Sequence, residues 1–317
     1  MSRSGLKAMS LIVSLLVIQP AHAQEYPTRY VRVVTAGIGG GSDFAARLVA
    51  QGLSDSLGQN AIVDNRPTGL LPGIAVASAA PDGYTLLVIG SALWISPFLQ
   101  KAPYDPVKDF APITLITTAP NVLVVHPSVP VQSLSALIAL AKSKPGTLNF
   151  AAGATGGSTH LSAELFKSMT GVNIVRVSYK SGAQETTDLI GGHVQLSFAI
   201  AAIVMPHVKS GQLRALAVTS AKRSALAPEL PPIADSVPGY ESTTTTGVLA
   251  PARTPVEIIN RLNRDIVQFI NRQDTKQRLL NAGVEAMGTS PDEFEKSIQA
   301  DMRKFGKLIK DAGISSE

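Results

Sequence analysis

Two glycine-rich stretches carry the residues whose types and spacing could do chemistry. The first runs Gly37, Ile38, Gly39, Gly40, Gly41, Ser42, Asp43, and the second runs Gly153, Ala154, Thr155, Gly156, Gly157, Ser158, Thr159, His160. Each follows an apolar run, Tyr30 to Val34 or Leu148 to Ala152, and each precedes a helical pattern. Glycine leaves main-chain N–H groups unshielded just where the helix dipole is positive, which makes an anion seat. Two such seats predict a cleft that grips a carboxylate from both walls through neutral N–H and O–H donors. The candidate donors are Gly37, Ile38, Gly39, Gly40 and Ser42 on one wall and Thr155, Gly156, Ser158 and Thr159 on the other. Gly90-Ser91 closes the run Thr85 to Ile89 and adds Ser91, because ligands of open α/β sheets gather at the carboxyl ends of strands.

Ser42, Ser158 and Thr159 have two readings, as helix N-caps or as ligand donors, and both stay open. Asp43 is expected to cap its helix, since a carboxylate facing an anionic ligand would repel it. His160 is singled out among the histidines because it follows the second glycine loop.

Other chemistries fit less well. Gly37-Ile38-Gly39 after a strand, with Asp64 ending the next one, resembles a dinucleotide fingerprint, but Ser42 stands where the third glycine belongs. Neither Gly40-Gly41-Ser42-Asp43-Phe44 nor Gly156-Gly157-Ser158-Thr159-His160 has the last glycine of a nucleophile elbow. The competing reading is a secreted serine hydrolase acting on carboxylate esters, with Ser42 or Ser158 as nucleophile and His126 or His160 as base. His126, His160, His193 and His207 show no zinc spacing, and neither a metal nor a cofactor is expected.

The elements that must position these loops alternate in the manner of α/β architecture. Tyr30–Thr35 leads into a helix through Leu48, Leu53 and Leu57 that stops at Gly58; strands follow at Ala61–Asp64 and Thr85–Ile89. A second series runs helix 134–141, strand 148–152, helix 161–169, strand 174–177, helix 183–190 and strands 194–200 and 213–219. Proline-rich extended crossings bracket this series, one from Pro103 to Pro130 with β-like runs at Ile113–Ile116 and Val122–Val125, the other from Pro228 to Pro238. A discontinuous outer domain, 24–123 with 226–317, and an inserted inner domain, 124–225, are therefore expected, with the two crossings as hinge. The C-terminal stripes Ile258, Leu262, Ile266, Phe269 and Phe294, Ile298, Phe305, Leu308 read as packing faces.

Arg3 and Lys7 before the uncharged run Ala8 to Ile18, then Ala21-His22-Ala23, read as a cleaved secretory signal over 1–23. The chain has no cysteine, which excludes a lipoprotein anchor, a thiolate nucleophile and disulfides together. Of 28 basic and 23 acidic residues, two basic ones fall in the signal, so 26 against 23 leaves +3. That excess is scattered, and no nucleic-acid partner is expected.

Several blocks together resemble one family over nearly the whole length: Ser42-Asp43 with Ala46-Arg47-Leu48, Asp64-Asn65-Arg66-Pro67, Ala80-Pro81-Asp82-Gly83-Tyr84, Lys108-Asp109-Phe110, His160-Leu161, Asp188-Leu189-Ile190-Gly191-Gly192, Arg214-Ala215-Leu216-Ala217-Val218-Thr219 and Leu249-Ala250-Pro251. In this order and spacing the chain is similar to the Bug or TctC family, the periplasmic solute receptors of tripartite tricarboxylate transporters. The resemblance implies an α/β fold of two lobes, a Venus flytrap of the type II periplasmic-binding-protein kind, each lobe a mixed sheet flanked by helices. It implies a binding protein that closes on a small carboxylate and delivers it to membrane permease subunits; a monomer that is not an enzyme is expected, and a separate reading has the loaded receptor presented to a sensor-kinase ectodomain. Its ligand loops map to 37–43 and 153–160. Where the family often has an aspartate after the Val194 strand this chain has Ala199, which enters the candidate site for that reason, and Thr245-Thr246 stand in place of an aromatic pair.

Overall fold

The computed structural model describes residues 26–315 except Thr68, so the expected signal segment 1–23 lies outside the described residues. The chain runs β1 (Val31–Thr35), α1 (Gly41–Leu57), β2 (Ala61–Asn65), α2 (Leu71–Ala77), β3 (Thr85–Gly90), α3 (Ala92–Ile95) and a long strand, β4 (Phe110–Val125). It continues α4 (Leu134–Ser143), β5 (Asn149–Ala152), α5 (Ser158–Thr170), β6 (Val175–Ser178), α6 (Gly182–Ile190), β7 (Leu196–Ile200), α7 (Ala201–Lys209) and β8 (Arg214–Val218). Then come β9 (Thr243–Pro251), α8 (Val256–Ile270), α9 (Gln273–Asn281), β10 (Glu285–Ala286) and α10 (Pro291–Asp311).

These elements follow their local chemistry. In α1 the spacing of Leu48, Val49, Leu53 and Leu57 buries one face, and Gly58 at φ 66° ends the helix in the left-handed conformation a β-carbon disfavours. In α10, Ser290 and Glu293 form a reciprocal capping box with Pro291 in the first turn, and Phe294, Ile298, Phe305 and Leu308 are buried.

The first lobe has parallel β2-β1-β3, with β9 antiparallel to β3 and the first part of β4 antiparallel to β9. In the second lobe β5 lies parallel to β6 and β7, and β7 and β8 pair antiparallel with Asn121 to Val125 of β4. One uninterrupted strand thus serves both sheets. The two β-like runs of the first crossing both belong to it, with register shifts at the first run, between Pro112 and Thr114 and between Leu115 and Thr117. Such irregularities are what a strand containing proline needs. The partner change falls at Pro120/Asn121, three residues before the expected 123/124 boundary. Within the stretch 226–242, Pro232 bridges to Val218 and the Tyr240 ring packs on Phe166, while the Glu241 carbonyl accepts from Lys304 of α10.

The crossings are tied by a buried polar network. Asn121 N–H donates to Thr219 Oγ1 at 2.7 Å, Asn121 Nδ2 donates to Ser162 Oγ at 3.1 Å, and Ser162 Oγ and Ser242 Oγ lie 2.8 Å apart. Asn121, Ser162, Thr219 and Ser242 are all buried. Four elements meet there: β4, α5, the exit from β8 and the entry to β9.

Candidate functional site

The first glycine loop joins β1 to α1. Gly40 is the helix N-cap and has no side chain to offer, so Ser42 is not the cap. Asp43 is not the N-cap either. Its buried carboxylate reaches back to the Gly39 N–H (3.0 Å) and takes Asn65 Nδ2 at 2.8 Å and Arg47 Nη2 at 3.0 Å. Burial alone would raise its pKa, but these donors outweigh burial and hold it below the usual carboxylate range. The acid therefore braces the loop. Asn65 Nδ2 also donates to the Ala36 carbonyl at 2.9 Å, clamping the loop to the end of β2.

The second loop joins β5 to α5. Gly157 is the N-cap, with Ser158 and Thr159 as the first helical residues, so the N-cap reading fails for both. Thr159 Oγ1 instead accepts from the Gly153 N–H at 3.1 Å, and His160 Nδ1 accepts from the Gly156 N–H at 3.1 Å. Burial, then the charges of Arg176 and Lys167, push the His160 pKa down to about 4. Arg176, which the sequence did not single out, supports the loop from β6: Nη2 donates to the Gly153 carbonyl at 2.8 Å and Nη1 to Thr155 Oγ1 at 3.2 Å.

Two cavities flank the β9 ribbon at Thr244. One, of about 200 Å³, is lined by Gly90, Ser91, Ile95, Gly156, Gly157, Ser158, Leu161, Ser242 to Thr244 and Phe305. The other, of about 300 Å³, is lined by Gly39 to Gly41, Phe44, Thr117, Ala119, Thr244, Thr246 and Val284. Neither lining contains a charged side chain. Among the described residues, no group hydrogen-bonds the hydroxyls of Ser42, Ser91 or Ser158, so these are available to a guest. A β-carbon built on Gly90 would stand 3.9 Å from Ser42 Oγ, which puts Ser42 beside the β3 loop. The lobes touch at this place as well. A β-carbon on Gly156, whose φ is +75°, would lie 2.2 Å from Leu99 Cδ1.

The structure thus gathers Gly39, Gly40, Ser91, Gly156 and Ser158 around the cleft, with Ser42 next to them. Gly37 and Ile38 belong to the first loop but line neither cavity, Ile38 being 80% exposed. Thr155, Thr159 and His160 are bound within the second loop. Ala199 is not brought to the site. It faces Val122 across the ladder and is buried among Val122, Val124 and Tyr179, because the two-residue period of β7 turns it into the core. Trp94 is core, fully buried, with Nε1 donating to Asp301 at 3.1 Å. Thr244 and Phe305 were not foreseen, and Thr246 entered only as one of the pair that stands in place of the family's aromatics. Four consecutive threonines show no alternation, so nothing in the sequence marked Thr244, and Phe305 read only as a helix stripe.

A hydrolytic dyad is not assembled. His160 Nδ1 is held by Gly156, and its Nε2 lies 3.9 Å from Glu164 Oε1; His126 Nδ1 is 2.7 Å from Ser128 Oγ.

Comparison with known proteins gives a consistent result. The profile of the TctC family, described as tripartite tricarboxylate transporter family receptor, matches residues 45–314. Protein BugT of Bordetella pertussis is 33% identical over 304 residues, 94% of this chain and 93% of that protein. The solved structure of R. palustris Rpa4515 with adipate superposes with a TM-score of 0.73 at 38% identity, covering 92% of this chain and 99% of its own. MatC from Rhodopseudomonas palustris with bound malate gives 0.69 at 26% identity, covering 90% of this chain and all of its own.

Proposed function

Because the chain belongs to the tripartite tricarboxylate transporter receptor family, we propose that it is a periplasmic receptor, exported by its N-terminal signal, that captures a small organic carboxylate between its lobes. It hands the ligand to the membrane subunits of a tripartite transporter. The observation that carries this reading is the chemistry of the two cavity walls: unpaired hydroxyls, bare glycines and apolar side chains, with no charged group. An anion in such a place is held by N–H and O–H donors at the starts of α1 and α5, as charge-assisted hydrogen bonds. The adipate and malate bound by the two solved relatives support a carboxylate as the class of ligand. The lobes on this reading meet at Pro120/Asn121 and near Thr243, and closure is the functional event, driven by the ligand's preference for the closed form. No observation favours the hydrolase reading.

A thermal-shift screen of the mature protein against mono-, di- and aromatic carboxylates tests the proposal. A ligand bound only by the native state at a hundred times its Kd adds about 2.7 kcal/mol of stability. At least one carboxylate should give a saturable rise in Tm that its uncharged amide does not. A screen in which no carboxylate does so, or in which amides match the acids, overturns the proposal.

A further inference from the structure

Behind the second glycine loop, on the side away from the cavity that holds Ser158, lies a recess of about 880 Å³. Its wall carries Lys167, Arg176 and Lys180 against one carboxylate, Glu164. Glu164 is already engaged, with Oε1 accepting from Lys167 Nζ at 2.8 Å. The Arg176 guanidinium meets only neutral acceptors, Gly153 O and Thr155 Oγ1, and its Nε is buried without any hydrogen-bond partner among the described residues. Lys180 is exposed and in no ion pair among the described residues. Among the described residues the recess therefore holds three cations against the single carboxylate of Glu164, whose charge Arg176 shares with Lys167, and Arg176 keeps one buried donor unpaired. A guanidinium presents its donors as a planar fork that matches an oxyanion.

We propose that this recess is a second anion site, separate from the cleft, in which the Arg176 guanidinium and Lys180 Nζ hold a small, multiply charged oxyanion. Burial is the first cause of the lowered His160 pKa, and the positive charges of Arg176 and Lys167 lower it further. Gly153 to Thr155 line the recess while Gly156 to Ser158 line the interlobe cavity, so one loop separates the two sites. The inference does not rest on the identity of the cleft ligand.

The probe is inorganic phosphate, titrated into the mature protein without carboxylate, at constant ionic strength set by chloride, with Tm as readout. A saturable rise is expected in the wild type, with half-saturation displaced at least tenfold in Arg176→Gln and at least threefold in Lys180→Gln. Lys180 makes no contact that the fold needs, so its variant serves if Arg176→Gln loosens the loop. Ser158→Ala, which alters the cleft, should leave the phosphate response unchanged. The proposal is overturned by a rise no greater than chloride gives, or by an equal response in Lys180→Gln and the wild type. It is also overturned if Ser158→Ala abolishes the response, since phosphate would then be reporting the cleft. A failed carboxylate screen with an intact phosphate response would instead count against the function proposed above.

Discussion

The main-chain N–H of Gly156 donates to Nδ1 of His160 at 3.1 Å, so the loop that borders the interlobe cavity is closed by an imidazole that must stay neutral at that nitrogen. A protonated ring has two donors and no acceptor, and the bond to Gly156 would be lost.

This bond gives the first prediction. The unfolded chain binds a proton at His160 near pH 6.5, while the native state resists until about 4. Between those values the unfolded state holds more protons, so stability rises with pH. The contribution is complete above about 6.5 and lost on acidification towards 4, worth about 3 kcal/mol over the full window. Urea unfolding from pH 7.5 to 4 should show a steeper acid loss in the wild type than in His160→Gln. Parallel curves would sink the assignment.

Ser91 and Ser158 line one cavity, from different lobes, with free hydroxyls. Removing either oxygen should weaken binding of the best carboxylate from the screen by about 1 to 3 kcal/mol, read by calorimetry as roughly a fivefold to 150-fold rise in Kd. Unchanged Kd in both variants would remove them from the site.

Gly39 and Gly156 both have positive φ, +84° and +75°, but a β-carbon on Gly39 meets nothing within 4 Å whereas one on Gly156 runs into Leu99. Gly39→Ala should cost about 1 kcal/mol from the backbone alone. Gly156→Ala should cost more, up to about 3 kcal/mol with the steric conflict added. Equal losses in chemical denaturation would show that Leu99 gives way freely.

Asn121 and Ser162 share a buried hydrogen bond at the crossing. Ser162→Ala should destabilise by about 1 to 3 kcal/mol, because Asn121 Nδ2 is left buried and unsatisfied, and Asn121→Ala should cost less from this bond, because the Ser162 hydroxyl keeps Ser242. The double variant should lose less than the sum of the singles. Strict additivity would mean that the two do not act as one unit.

Local chemistry made much of the scaffold legible. The apolar spacing of α1, the Gly58 stop and the Ser290-Pro291-Glu293 start of α10 each specify an element through neighbours three or four residues away, and the glycine stretches marked both loops for the same reason. Short or proline-bearing elements were not legible: α2, α3 and α7, the last with Pro206 inside it, carry periods too brief or too broken to read. The single strand β4 was also hidden, because its prolines look like breaks, whereas Pro112 sits at a register shift against β9 and Pro120 pairs with Thr243.

What the sequence by itself determined was therefore the existence of two glycine loops that each open a helix, since bare amides at a helix start are a consequence of glycine and of helix geometry. Only the tertiary structure decided which donors remain available. Asp43 turns back onto Gly39, Thr159 onto Gly153 and His160 onto Gly156, while Ser91, Ser158 and Thr244 are carried to one place by three segments far apart in the chain. That choice depends on strand register and lobe packing, in which a one-residue shift reverses the face a side chain presents, and Ala199 in the core shows the consequence.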